Sequence, residues 1–267
     1  MNDIPEIIKK VKAGVVQIIF YKNGEKINSG SGFLCCDRLI SNNHVFYPDG
    51  IPLNDTTVGI RFGDMLISDD DLIKISYDDF IKKMETSSPQ ELNDYAIFKL
   101  DRGEYNGRYQ FELIDHSNMK EGGKILIMGF PFGSRNLTSH IGYISSIYNN
   151  GVVDIIQLDA STNNGNSGGP VIDLKTCKVV GYVTRKQTGL ADQFDELVKS
   201  FDANIGVFTR LKGGLSWGKL DIMDIFSASQ QQMKSIAWNL KRASNTGIGF
   251  AFSCNKLISE TFYGKKS

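Results

Sequence analysis

"TNNGNSGGP", residues 162–170, sets a serine among glycines and asparagines, and its reading decides what this chain is. Taken as local structure, the stretch is a tight turn, because Gly, Asn and Ser favour positive φ and short side-chain-to-backbone bonds. Taken as chemistry, Ser167 is a nucleophile, which requires a base, a group that orients the base, and N–H donors for an oxyanion. "GNSGG" also fits the Gly-x-Ser-x-Gly elbow of a strand–turn–helix, where the catalytic histidine follows the serine. Here the three histidines, His44, His116 and His140, all precede Ser167. That order excludes the elbow and leaves arrangements in which the histidine comes first.

Of the three, His44 has the surroundings of a base: "SGSGFLCCDRLISNNHV" reads as strand, turn, strand, then a histidine in a polar context. His116, in "LIDHSNMKEGG", reads as a solvated loop residue, and His140, opening "HIGYISSI", as a packing or hydrogen-bonding residue of a strand. For the orienting acid, Asp94 in "ELNDYAIFKL" stands just before an apolar strand, where a carboxylate is buried and held. Asp69, Asp70 and Asp71, like Asp78 and Asp79, read as solvated loop positions. A wide-spaced His–Asp–Ser order suits a cleft where sequence-distant groups meet.

The rest of the chain agrees with an all-β scaffold. About ten short apolar runs separated by turn residues fill residues 14–184, starting with "GVVQIIFY" and "KINSGSGFLCC" around Asn23-Gly24, a strong hairpin signal. Such spacing argues for an antiparallel barrel or sandwich rather than a parallel sheet with crossover helices. Ile4, Ile7, Ile8 and Val11 place an early helix. After residue 187, "LADQFDELVKSF" reads as a short helix, and "KLDIMDIFSASQQQMKSIAWNLKRAS" as a longer one with Ile222, Phe226, Met233, Ala237 and Leu240 along one side. "TGIGFAFSC" returns to strand and "NKLISETF" to a helical turn.

Composition limits the partners. Thirty basic residues match thirty acidic ones in 267, so no net field draws in nucleic acid or an anionic membrane. Apolar residues make up 41%, and no run is long enough to span a bilayer. The N-terminal "MNDIPEIIKKVKAG" lacks an apolar signal core, and the four cysteines show no metal or paired spacing, so a cytoplasmic, reducing location is expected. Neither a metal nor a cofactor is expected.

Read together, "GSGFL" (30–34), "SNNHV" (41–45), "NDYAIFKL" (93–100), "MGFPFG" (128–133), "HIGYISSI" (140–147), "IQLDASTNNGNSGGPVID" (156–173), "VVGY" (179–182) and "GIGFAF" (247–252) carry a resemblance. The chain resembles the chymotrypsin-fold serine proteases, in their HtrA/Deg-like branch. The resemblance implies one protease domain of two six-stranded antiparallel barrels, the first over about 14–100 and the second over 101–267, with a helical insertion at about 187–245. It implies His44 as general base, Asp94 as its orienting carboxylate, Ser167 as nucleophile, and the Gly165 and Ser167 N–H groups as oxyanion hole. It places Ser161 at the floor of the primary specificity pocket. With uncharged Ala160 and Thr162 beside it, that floor suits small or medium apolar side chains, since a buried basic group would lack a partner.

Departures from the family carry information too. Asn166 stands where secreted trypsin-like enzymes have an aspartate that pairs with a new N-terminus, so activation by N-terminal cleavage is not expected. Val45 stands where those relatives place a disulfide cysteine. No PDZ module is expected after the last strand. The expected function is a serine endopeptidase acting on protein or peptide through an acyl-enzyme. The alternatives are a non-catalytic module gripping an extended peptide by strand addition, and a scaffold assembled through the insertion. For 187–245 the two readings are packing on the protein's own barrel, and a surface for a regulator or for self-association.

Overall fold

The computed structural model describes residues 3–48, 53–65, 68, 72–184, 189–218, 220–243 and 247–259; the Asp69–Asp71 cluster and the end of "NKLISETF" lie outside them. The chain gathers into two units, Met1–Lys186 with Gly247–Ser267, and Gln187–Thr246.

In the first unit, helix α1 (Ile4–Val11) opens at Pro5 and buries Ile7 and Val11. Strands β1 (Val15–Lys22) and β2 (Glu25–Cys35) form the hairpin expected at Asn23-Gly24, where both residues take positive φ. Then come β3 (Arg38–Ser41), the single-turn helix α2 (Asn43–Phe46), β4 (Thr56–Phe62), β5 (Ile73–Ser76), helix α3 (Tyr77–Lys82), β6 (Met84–Ser87) and β7 (Ala96–Lys99). These strands pair in the order β5-β4-β1-β2-β3-β7-β6.

The first barrel is therefore a curled sheet of seven strands rather than a closed ring of six. Its edges, β5 and β6, are bridged by α3. The Ser76 side chain caps that helix by accepting from the Asp79 N–H. Phe80 drops from α3 into the core, stacked on Phe46 with centroids 5.7 Å apart and 4.6 Å from Phe98. Burying that ring contributes roughly 2–3 kcal/mol, so closure comes from side chains instead of a last ladder.

The second barrel closes fully. After α4 (Arg102–Tyr105) come β8 (Lys124–Gly129), β9 (Thr138–Asn149), β10 (Asp154–Asp159), β11 (Pro170–Asp173) and β12 (Val179–Val183). The last strand, β15 (Ile248–Ser253), enters between β10 and β12, giving the ring β10-β15-β12-β11-β8-β9. A turn of helix, α7 (Asn255–Leu257), follows it and buries Leu257. One apolar cluster joins the barrels, with Phe33, Ile40 and Ile97 of the first against Leu126, Met128, Ile172 and Tyr182 of the second.

The second unit is a helical hairpin: α5 (Gly189–Arg210), a two-stranded ribbon of β13 (Ser216–Trp217) and β14 (Leu220–Asp221), and α6 (Ile222–Ala243). Phe208–Phe226 stacking, Asn204–Gln230 hydrogen bonding and the Lys234–Asp202 ion pair run the helices antiparallel. The first helix, expected to be short, has 22 residues. The 3,4 spacing of Phe194, Val198, Phe201, Ile205 and Phe208 carries it through Gly206, because packing outweighs one glycine's cost of about 1 kcal/mol.

Candidate active site

Pairing of Ser41 with Ala96 between β3 and β7 brings the segment after one strand beside the segment before the other. His44 leaves β3 on the turn of α2, and Asp94 sits just ahead of β7 at φ 46°. The acid grips the histidine twice: Oδ1 accepts the His44 N–H at 2.9 Å and Oδ2 lies 2.6 Å from His44 Nδ1. Its own carbonyl accepts the Asn43 N–H at 3.1 Å and the Asn42 Nδ2 at 2.8 Å. Both side chains are buried, Asp94 almost wholly. With Nδ1 committed to a carboxylate, Nε2 is the ring nitrogen left to exchange a proton.

Ser167 lies in the turn between β10 and β11, which is built on positive φ at Gly165 (96°) and Gly168 (82°). A Cβ at Gly165 would fall 2.3 Å from the Phe130 carbonyl oxygen, and one at Gly168 2.3 Å from the Ser31 carbonyl oxygen. Both positions demand glycine on conformation and on space. The Asn164 carbonyl accepts the Phe132 N–H at 2.5 Å. In a planar trans peptide the Gly165 N–H must then point the opposite way. Among the described residues neither the Gly165 nor the Ser167 N–H has an acceptor. Two unspent donors two residues apart on a tight turn can serve a developing oxyanion.

The first barrel props this turn from below, through a residue that the sequence reading left without a role. Ser31 of β2 is fully buried. Its N–H donates to the Ser167 carbonyl at 2.9 Å, its hydroxyl donates to the Gly165 carbonyl at 2.6 Å and accepts the Phe130 N–H at 2.9 Å. Ser41 in turn donates to the Ser31 carbonyl at 2.6 Å. Tyr182 of β12 ties the second barrel to the acid's loop, its hydroxyl donating to the Asn93 carbonyl at 2.5 Å. The loop of Pro131–Gly133 is held by Lys26, which donates to the Gly133 carbonyl, and Gln17, which donates to the Ser134 carbonyl. A small residue in "GSGF" was the only sequence signal for Ser31; backbone partners leave none.

His44, Asp94 and the Ser167 turn thus come together, although no hydrogen bond joins Ser167 to His44 here. Such bonds tighten when substrate arrives. The other histidines stand apart. His116 is half-buried, its Nδ1 bonded to Ser253 Oγ at 2.8 Å rather than solvated. His140 pairs with Ile127 in the β8–β9 ladder. Ser161, half-buried, follows β10, and its neighbour Thr162 lies against Gly249 of β15, whose Cβ would meet Thr162 Cγ2 at 2.7 Å. Asn166 is buried with neither amide atom hydrogen-bonded among the described residues. No group of three or more potential ligands able to hold a metal ion occurs among the described residues.

Comparison with known proteins identifies the family and the fold. The family model of the trypsin-like peptidase domain matches residues 30–181. The serine protease HTRA1A of Danio rerio is 29% identical over 204 residues, 70% of this chain and 37% of the relative. A probable periplasmic DegP-like serine endoprotease of Rickettsia prowazekii is 30% identical over 172 residues, 61% of this chain and 29% of the relative. The chain thus spans roughly a third of the length of these relatives. Among solved structures, the HtrA-type protease AlgW with tripeptide superposes with a TM-score of 0.59 at 19% identity, covering 97% of this chain and 62% of that one. This protein belongs to the trypsin-like peptidase domain family, on the chymotrypsin fold, and is similar to the HtrA-type proteases.

Proposed function

We propose that the protein is a serine endopeptidase working through an acyl-enzyme, with Ser167 as nucleophile, His44 as base and Asp94 as orienting acid. The observation that carries the proposal is the double grip of Asp94 on His44, which spends Nδ1 and the backbone N–H and leaves Nε2 to face a nucleophile.

In this mechanism, Ser167 Oγ attacks the scissile carbonyl while His44 Nε2 takes its proton. The oxyanion rests on the Gly165 and Ser167 N–H groups, whose lack of other acceptors keeps them available. Asp94 stabilises the imidazolium that forms, and the imidazolium then protonates the leaving amine. A water molecule, deprotonated by the same nitrogen, hydrolyses the ester. No step calls for a metal or cofactor. The substrate is an extended segment of protein or peptide, in keeping with the tripeptide held by AlgW. Uncharged Ser161 at the pocket favours small or medium apolar side chains on the acyl side of the cut. A cytoplasmic location belongs to the same proposal, and cell fractionation tests it.

Ser167→Ala tests the reading against that of a peptide-binding module. Casein cleavage and fluorophosphonate labelling should both vanish, with a loss on the order of 10⁶ in turnover, as in the subtilisin example. Thermal melting should be unchanged. A wild-type protein that neither labels nor cleaves, or a variant that still cleaves, overturns the proposal.

A further inference from the structure

Helix α6 presents its faces in the reverse of the usual order. The side toward α5 carries Met223, Ser227, Gln230, Lys234 and Ala237, all buried or half-buried and mostly polar. The neighbouring seam runs Ile222, Phe226, Ser229, Met233, Ile236, Leu240, at steps of 4, 3, 4, 3 and 4 residues. That is the strict two-position spacing of a coiled-coil seam, which a single helical partner satisfies. Yet Phe226, Met233, Ile236 and Leu240 are each 48–53% exposed, and Ile225 at the seam's edge 52%. Phe226 stacks on Phe208 and still keeps that exposure.

We propose that this seam is the docking surface for the same seam of a second copy of the chain. Charge selects the occupant. Between Ile222 and Leu240 the helix carries only Asp224 and Lys234. Asp224 is paired with Lys212 at 2.9 Å and Lys234 with Asp202 at 2.5 Å. The positions flanking the seam, Gln232 and Asn239 on one side and Gln230 and Ala237 on the other, are uncharged. Identical copies therefore meet without like-charge repulsion in either direction, whereas a strongly charged partner or an anionic membrane finds no complement. Area sets the strength. Five half-exposed large side chains bring roughly 450 Å² per copy and about 900 Å² per pair, below the ~1,200 Å² of stable specific interfaces and in the range of weak, transient ones. A contact of that size fits a weak, reversible dimer, to be sought between about 10 µM and about 1 mM.

The test is sedimentation velocity of the whole protein across that concentration range. Wild type should double in mass as concentration rises. Met233→Glu with Ile236→Glu should weaken association at least ~100-fold, as should Met233→Lys with Ile236→Lys, and mixing the two variants should restore it through opposite charges. If a double variant fails to fold, Leu240→Lys at its exposed position carries the same expectation. Two results overturn the proposal: wild type monomeric throughout, whether or not it co-sediments with neutral phosphatidylcholine vesicles, or dimerisation that survives the variants. Monomeric wild type with a variant that melts far lower also overturns it, by placing the seam's cover within the chain itself.

Discussion

Replacing Ser31 by alanine separates a strut from the chemistry it supports. Removal of the hydroxyl orphans two buried groups at once, the Phe130 N–H at 2.9 Å and the Gly165 carbonyl at 2.6 Å. At about 1–2 kcal/mol each, the loss is roughly 2–4 kcal/mol of stability. For a unit of this size that lowers the melting temperature by roughly 5–15 °C. The kinetic effect follows from what remains. The Phe132 N–H still fixes the Asn164 carbonyl, so the Gly165 donor is loosened rather than lost. Complete loss of an oxyanion donor costs about 10²–10³ in kcat, so the partial loss should cost about 10–100-fold, with KM nearly unchanged. The assay is peptide hydrolysis well below the melting temperature, beside the barrel-core variant Ile60→Val. Ile60 is buried away from the site and packs with the first-barrel cluster, so that variant should lose about 1 kcal/mol of stability and no activity. Should Ser31→Ala melt lower yet keep kcat within about twofold of wild type, the strut is structural alone and the reasoning about the turn fails.

Two further outcomes are expected. Gly165→Ala should abolish turnover, because a Cβ there meets the Phe130 carbonyl oxygen at 2.3 Å at a φ of 96°; intact hydrolysis by that variant would mean the turn is not the oxyanion hole. Burial pushes the Cys35 and Cys254 thiols well above their ordinary range, while Cys36 is exposed. With folded values raised, both buried thiols stay protonated at pH 8, so iodoacetamide should modify Cys36 rapidly and reach Cys35 and Cys254 only on unfolding; mass spectrometry of the folded protein showing equal labelling of all three would refute this.

Much of this fold is written in local signals. Asn23-Gly24 forms its hairpin, and the apolar runs on either side of it become β1 and β2 within one residue of their expected limits, because the two pair with each other. What was not legible depends on distant partners. "METS" is too short and polar to read as a strand; it becomes β6 because β7 lies beside it. With that strand added, α3 rather than a ladder spans the sheet edges. His44 lies on a helical turn rather than at a strand's end, because Asp94 captures the backbone of Asn43 and His44. The candidate site was legible through residue type and order, since few side chains do this chemistry. Ser31 and Tyr182 were not, because they act on carbonyls, which every residue possesses.

The order of parts along the chain gives the two-barrel site a consequence during synthesis. Residues 15–99 emerge first and form the sheet that holds His44 and Asp94, before Ser167 has been made. The ring bearing Ser167 cannot close until β15, residues 248–253, arrives between β10 and β12, after the whole helical hairpin has been made. On the proposed function, a ribosome-bound fragment lacking β15 would carry its base and acid on a finished sheet and its nucleophile on an unfinished ring. The same reading expects proteolytic competence only once the last strand is in place, so a chain ending before residue 248 should not cleave casein.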